Sequence, residues 1–304
     1  MKTKISIFSY IKITAFLLSA IILITSCKKQ NIDNDSGSVP EEPGVLITDP
    51  LCFTAEDSRI SIEMDARFGY DTILYFEYSY DNVVWNRFIP NYTIAVLAHE
   101  GDKVYFRGHN PQGLSPNLEL YDENNHYLGE GVRFRTNYKE TAVSGNIMSL
   151  IDTVFRDKPL PKNCFASLFI DTYITSAPEL PATKMGDYCY SNMFYGCSRL
   201  KTCPDLPATN LSKYCYEHMF FGCSQLASVP TLPATTLAEG CYKLMFTCCS
   251  NLRGIKVYFT DWYNGATLYW LDQTAEYGTF YCPRALSQEF GTNKIPTNWI
   301  VEPF

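Results

Sequence analysis

The stretch Cys189–Leu200, CYSNMFYGCSRL, places two thiols, a methionine and a phenylalanine close together. It returns as CYEHMFFGCSQL from Cys215 and as CYKLMFTCCSNL from Cys241. The preceding tetrapeptide LPAT, Leu180–Thr183, returns at Leu206–Thr209 and Leu232–Thr235, which sets a period of 26 residues. In the same register stand Pro178/Pro204/Pro230, Met193/Met219/Met245, Phe194/Phe220/Phe246, Cys197/Cys223/Cys249 and Leu200/Leu226/Leu252. A worn copy, CFASLFIDTYITSAPELP from Cys164, matches once one residue is deleted, with Leu168-Phe169 in the Met-Phe place and Ile174 in the Leu place. Columns kept in register this way specify a solenoid, in which one unit cannot bury its apolar face and stacking supplies the partner.

Each unit divides in two. Cys215, Met219, Phe220 and Cys223 fall at i, i+4, i+5 and i+8, a spacing that predicts one face of a short helix or 3₁₀ segment. The following LASVPTLP, Leu226–Pro233, reads as a short extended segment ended by proline. These residues carry a resemblance. MFYGCSRL and its copies resemble the BspA-like leucine-rich repeat, whose signature is an apolar residue and Phe, two residues, Cys, two residues, Leu. The LPAT loop and the longer period are similar to the variant found on surface lipoproteins of gut anaerobes. The tail IKVYFTDWYNGATLYWLDQTAEYGTFYCP, from Ile255, resembles the closing segment of the same proteins. The resemblance covers about residues 145–304 and implies adhesion or host-matrix binding. The chain departs from it in its degraded first copy and in carrying only three clean ones, where many relatives carry long arrays.

The N-terminus is read separately. Lys2, Lys4 and Lys12 flank the apolar run ITAFLLSAIILI, too short for a comfortable membrane span, so residues 1–27 read as an export signal. Its end, Ile24-Thr25-Ser26-Cys27, resembles the lipobox of bacterial lipoproteins, which implies cleavage before Cys27 and acylation of that residue, with several acyl chains anchoring the protein to a bilayer. An ordinary signal peptide or signal anchor that contains Cys is the competing reading. Removing residues 1–27 takes away three lysines and no acid, so the net charge moves from −7 to about −10. Beyond Lys28-Lys29 no basic block follows, which disfavours nucleic acid as a partner. Residues 28–45 are polar and rich in Pro, Gly and Ser, and read as a flexible tether.

Residues 46–143 carry a period of two. Ile60, Ile62 and Met64 alternate with polar residues; Leu74, Phe76, Tyr78 and Tyr80 share a face; Val104 and Phe106, then Val132 and Phe134, repeat the pattern. Turn signals separate these runs and no amphipathic helix interrupts them, which predicts an antiparallel β-sandwich. FEYSYDNVVWNRF, Phe76–Phe88, resembles a hairpin of bacterial immunoglobulin-like extracellular domains, with Trp85 expected in the sandwich core. The fold class is therefore mainly β with short helices: an immunoglobulin-like sandwich, leucine-rich repeats over 144–254, and a C-terminal repeat or cap over 255–304.

In an exported chain the thiols first suggest disulfides. Helices packed side by side keep their axes about 8–10 Å apart, wider than the roughly 4.4–6.8 Å between Cα atoms that a disulfide needs. The repeat cysteines thus read as reduced core thiols, with a disulfide or a metal site as alternatives. No C-x₂-C pair supports zinc, and His218 is the only histidine near them. YDENNHY, Tyr121–Tyr127, reads as a polar hairpin tip, with calcium as the alternative. Trp262, Tyr263, Tyr269 and Trp270 read as a cap over the last open rung, with sugar stacking as the alternative. His99, His109, His126 and His218 stand in no catalytic pattern, and no catalytic, metal or cofactor residue is assigned. The whole reads as a non-catalytic protein anchored in the outer membrane or cell surface of a diderm bacterium, binding an extracellular protein, or alternatively a glycan as an accessory lipoprotein of polysaccharide utilisation. Asp33 and Asp35 lie some way past Cys27 and add little to a surface-export reading.

Replacing the lipobox cysteine tests the anchor. Cys27→Ala is expected to leave the protein uncleaved or freely released, and without label after growth on a palmitate analogue. Label retained on the variant would refute the assignment.

Overall fold

The computed structural model describes residues 44–66, 74–116, 118–119, 131–227 and 231–304. The export run, Cys27, most of the tether and the YDENNHY segment lie outside the described residues. Val45, placed in the tether from sequence, is in a strand: β1 (Val45–Leu46) pairs with β10 (Val154–Phe155).

The chain is mainly β. One antiparallel sheet has the order β5-β4-β7-β2-β9, from β2 (Leu51–Ala55), β4 (Phe76–Ser79), β5 (Asn86–Phe88), β7 (Lys103–Gly108) and β9 (Thr141–Ser144). A second has the order β6-β3-β8, from β3 (Ile60–Ala66), β6 (Thr93–Leu97) and β8 (Val132–Thr136). The two-residue periodicity becomes inward faces: Ile60, Ile62 and Met64 are buried on β3, as are Val104 and Phe106 on β7. The sheets meet through Phe134 on β8, whose ring lies 4.8 Å from Phe53 and 5.0 Å from Phe106. Two sequence expectations fail here. Tyr80 is 52% exposed, because β4 ends at Ser79 and the Asp81 carboxylate turns the chain by accepting the N–H groups of Val83 and Val84. Trp85 is not in the core; it stands half-buried at the surface, with the Arg107 guanidinium 4.1 Å from its ring centroid.

Beyond β9 the 26-residue units stack, but not as helices. Each Cys-to-Cys segment is a ribbon of overlapping turns. In the unit containing Cys189, the N–H groups of residues 189, 191, 193, 195 and 197 donate to the carbonyls three positions earlier. The intervening residues donate to the next unit: Tyr188 to Lys213, Tyr190 to Cys215, Asn192 to Glu217, Phe194 to Met219 and Gly196 to Phe221, at 2.8–3.0 Å. Odd positions close turns and even positions bind the neighbouring coil. The backbone of the ribbon is thereby satisfied without a helix, as burial requires. Every fourth residue takes a left-handed conformation: Tyr188, Asn192 and Gly196, then Tyr214, His218 and Gly222. A side chain is strained in that region and glycine is not, which accounts for the glycine before the second cysteine in both units. The spacing i, i+4, i+8 could not separate a period of 3.6 from one of four over so short a run, so the predicted helix is corrected to a turn ribbon.

Direct hydrogen bonding between coils sets the packing. Phe169, Phe194, Phe220 and Phe246 form a column with ring centroids 5.4–5.5 Å apart and planes within 12°. A second column, unread in the sequence, runs through Phe165, Tyr190, Tyr216, Tyr242 and Trp270 at 5.6–6.2 Å. On the other side, β11 (Thr231–Leu232), β12 (Gly254–Val257), β13 (Thr279–Cys282) and β14 (Ile300–Pro303) form a parallel sheet.

The ends of the array are built in. At the start, the Phe134 N–H of β8 donates to Leu168 at 2.8 Å and the Leu114 N–H to Cys164 at 2.9 Å, while Phe169 stacks on Phe134 at 5.8 Å. The two-sheet part and the repeats therefore share one core. At the far end a further coil, Ala266 to Gln273, accepts from Tyr242, Leu244, Phe246 and Cys248. This coil lies within the segment read as a repeat or cap, disguised because Ala266 replaces the first cysteine and Trp270 the methionine. It is closed by Asn293, whose side-chain oxygen accepts the Tyr269 N–H at 3.0 Å.

Phe220 stacks between Phe194 and Phe246 and is fully buried. Phe220→Ala is expected to cost about 3–5 kcal/mol through lost burial and the cavity left between two rings. Chemical denaturation measures this, and neighbouring coils are expected to loosen with it. A midpoint equal to that of the unaltered protein would contradict the column.

Candidate binding surface

The repeat cysteines are the first candidates for chemistry. Cys189, Cys197, Cys215, Cys223, Cys241 and Cys249 are buried free thiols, and the described cysteines are all unpaired. The spacing argument against disulfides does not survive, because coils joined by backbone hydrogen bonds lie about 4.8 Å apart, within bridging range. The thiols of the second-cysteine column are instead engaged one by one. Cys197 donates to the Phe169 carbonyl at 3.0 Å, Cys223 to Phe194 at 3.1 Å and Cys249 to Phe220 at 3.0 Å. In the two end coils threonine takes the same column, with Thr172 donating to Phe169 at 2.7 Å and Thr274 to Leu271 at 2.8 Å. The column selects a small side chain that can donate to a buried carbonyl. Thiol reactivity is not what it selects. Burial pushes Cys197 and Cys241 up to about 12, and Cys164, Cys215 and Cys223 upward as well.

The aromatic cluster of the tail separates into two kinds. Trp270 is fully buried, and Trp262 packs on Phe259, Trp270 and Phe280 with its indole N–H on the Ser287 carbonyl at 2.9 Å. Trp270 belongs to the closing coil and Trp262 packs against it. Tyr263 and Tyr269 are 51% and 46% exposed. Of the histidines, His99 is at the surface beside Asp102, 3.5 Å away, and His109 is exposed. His126 lies outside the described residues.

A surface that the sequence did not reveal runs along the flank of the turn ribbons. Tyr188 and Tyr214, one coil apart, stack at 4.9 Å, and Tyr195 and Phe221 stack at 4.8 Å, all four partly exposed. Charged groups continue the flank into the next coil. Glu239 accepts from Lys213 at 2.9 Å and from the Tyr214 hydroxyl at 3.0 Å. Lys243 lies over the Tyr214 ring at 5.7 Å and meets the buried Glu217 carboxylate at 2.9 Å. Burial and then the Glu239 hydrogen bond push the Tyr214 hydroxyl up to about 12, so it stays a donor. Burial and then Lys243 hold His218 down at about 4, so its imidazole is neutral near pH 7. These residues sit in register at repeat positions before the first cysteine or beside glycine. The only sequence signal was a tyrosine before two of the cysteines, and nothing marked it as outward.

If the cysteines are packing donors, the six repeat thiols are expected to resist alkylation in the native protein and to react together after denaturation without reductant. Cys248, only partly buried, is expected to react first. Mass spectrometry reads both states. Disulfide-linked peptides among the six, or stoichiometric zinc, would overturn this role.

Comparison with family models, curated proteins and solved structures finds no match for this chain.

Proposed function

We propose that the chain is a non-catalytic, lipid-anchored surface protein of the BspA-like leucine-rich-repeat type, and that the flank of its turn ribbons binds an extracellular protein. The lipobox at Cys27 supports export and anchoring. The repeat type is supported by the interior placement of the signature Phe, Cys and Leu columns, with parallel strands on the opposite side.

One observation carries the binding role. Tyr188, Tyr195, Tyr214 and Phe221 present aromatic rings at coil spacing, with Lys213, Glu239 and Lys243 beside them. Rigid aromatic rings bring contact area at small entropic cost, and aromatic residues dominate the energetics of protein interfaces. A backbone ladder beneath them holds their positions before any partner arrives, which lowers the ordering cost of association.

The full-length protein, captured through its lipid on vesicles, should bind at least one member of a panel of extracellular matrix proteins and mucins in biolayer interferometry. The double variant Tyr188→Ala/Tyr214→Ala is expected to weaken that binding about tenfold or more. An unchanged affinity, or no binding across the panel, would remove the assignment.

A further inference from the structure

Three of the four tryptophans are tied to the fold through their indole nitrogens. Trp262 donates to Ser287 at 2.9 Å, Trp270 to Lys294 at 2.8 Å and Trp299 to Ala275 at 2.9 Å. Trp85 differs: it is partly exposed, and its indole N–H has no hydrogen-bond partner among the described residues. It stands on the wall of a cavity of about 300 Å³, whose lining includes Leu46, Thr48, Pro50, Asn82 and Arg107. That volume is at the small end of ligand sites.

The wall is organised before anything binds. The Arg107 guanidinium lies 4.1 Å from the Trp85 ring centroid and is itself held by Glu77 at 2.6 Å. Glu77 also accepts the Tyr75 hydroxyl at 2.8 Å. The loop that delivers Trp85 is pinned by the Asp81 carboxylate, which accepts two backbone N–H groups at 2.8 Å. Trp85 is thus a half-buried surface ring, held in place, whose indole donor no described residue accepts.

We propose that this cavity is a binding site for a neutral pyranose sugar. A pyranose offers an apolar face of C–H groups and a rim of hydroxyls that both donate and accept. The part of the Trp85 ring that Arg107 does not cover and the aliphatic wall match the face; the indole N–H, the Thr48 hydroxyl and the Asn82 amide match the rim. The charge of Arg107 is already matched by Glu77, so the site has no surplus charge to recruit an anion. It stands on the β4–β5 and β1 side of the fold and does not depend on the aromatic flank of the turn ribbons.

Saturation-transfer NMR on the full-length protein in detergent tests this with glucose, galactose, mannose and N-acetylglucosamine, beside galacturonate, glucosamine and decaproline. At least one neutral sugar is expected to receive saturation. Trp85→Ala is expected to abolish the transfer. Trp85→Phe, which keeps a ring and removes the donor, is expected to weaken binding about tenfold, in line with one lost hydrogen bond to the ligand. Transfer to no neutral sugar, or transfer that survives Trp85→Ala, would overturn the site. Preferential binding of galacturonate, glucosamine or decaproline would overturn the ligand class in favour of an anion, a cation or a proline-rich peptide.

Discussion

The interleaved hydrogen bonding of the turn ribbons is the constraint on which the rest of the structure depends. In each coil alternate N–H groups close turns, and the others reach the next coil. A helix would spend its N–H groups internally and hold its neighbour about 8–10 Å away. The ribbon spends half of them outward, and that draws successive coils together until identical side chains touch. The aromatic columns at 5.4–6.2 Å follow from this spacing. So does the thiol column, since each cysteine reaches the carbonyl of the coil before it. The left-handed residues that the ribbon demands are its cost, and glycine relieves it at Gly196 and Gly222.

A stack held this way needs two ends, because the first and last coils expose unpaired backbone. β8 closes the first end by presenting Phe134 both as a backbone donor and as the ring beneath Phe169. The two-sheet part of the molecule is thus joined to the repeats through the same two interactions that join one repeat to the next. At the other end Asn293 supplies one acceptor from its side chain, and Trp270 extends the tyrosine column with a larger ring. The outward flank inherits its order from this interior. Tyr188 and Tyr214 stack because their backbones are hydrogen-bonded in register, not because the rings alone would hold that geometry.

The sequence by itself determined the repeat and its interior. Phe, Met, Cys and Leu columns recur at a fixed interval, and a column that recurs must occupy equivalent places in a stack; all of these are buried. It also determined the alternating strands before the repeats, because a period of two leaves no other way to bury Ile60, Ile62 and Met64 together. The worn first copy was legible since Leu168, Phe169 and Ile174 kept their apolar character. The C-terminal coil was hidden within its segment, since alanine, tryptophan and threonine replaced cysteine, methionine and cysteine while the backbone pattern stayed the same.

What only the tertiary structure decided is the conformation of the ribbon and everything that faces outward. Eight residues cannot distinguish a period of 3.6 from one of four, and the choice was made by backbone groups finding partners in the neighbouring coil. That choice also gave the second cysteine of each repeat, Cys197, Cys223 and Cys249, a carbonyl of the preceding coil to bind. The position of Trp85 was likewise undetermined by its pattern, which suits a core residue. The Asp81 turn ends the strand before it and leaves the ring at the surface, stacked on Arg107 beside a cavity. Interior columns are encoded by what recurs along the chain; outward surfaces depend on which residues distant in sequence come to lie side by side.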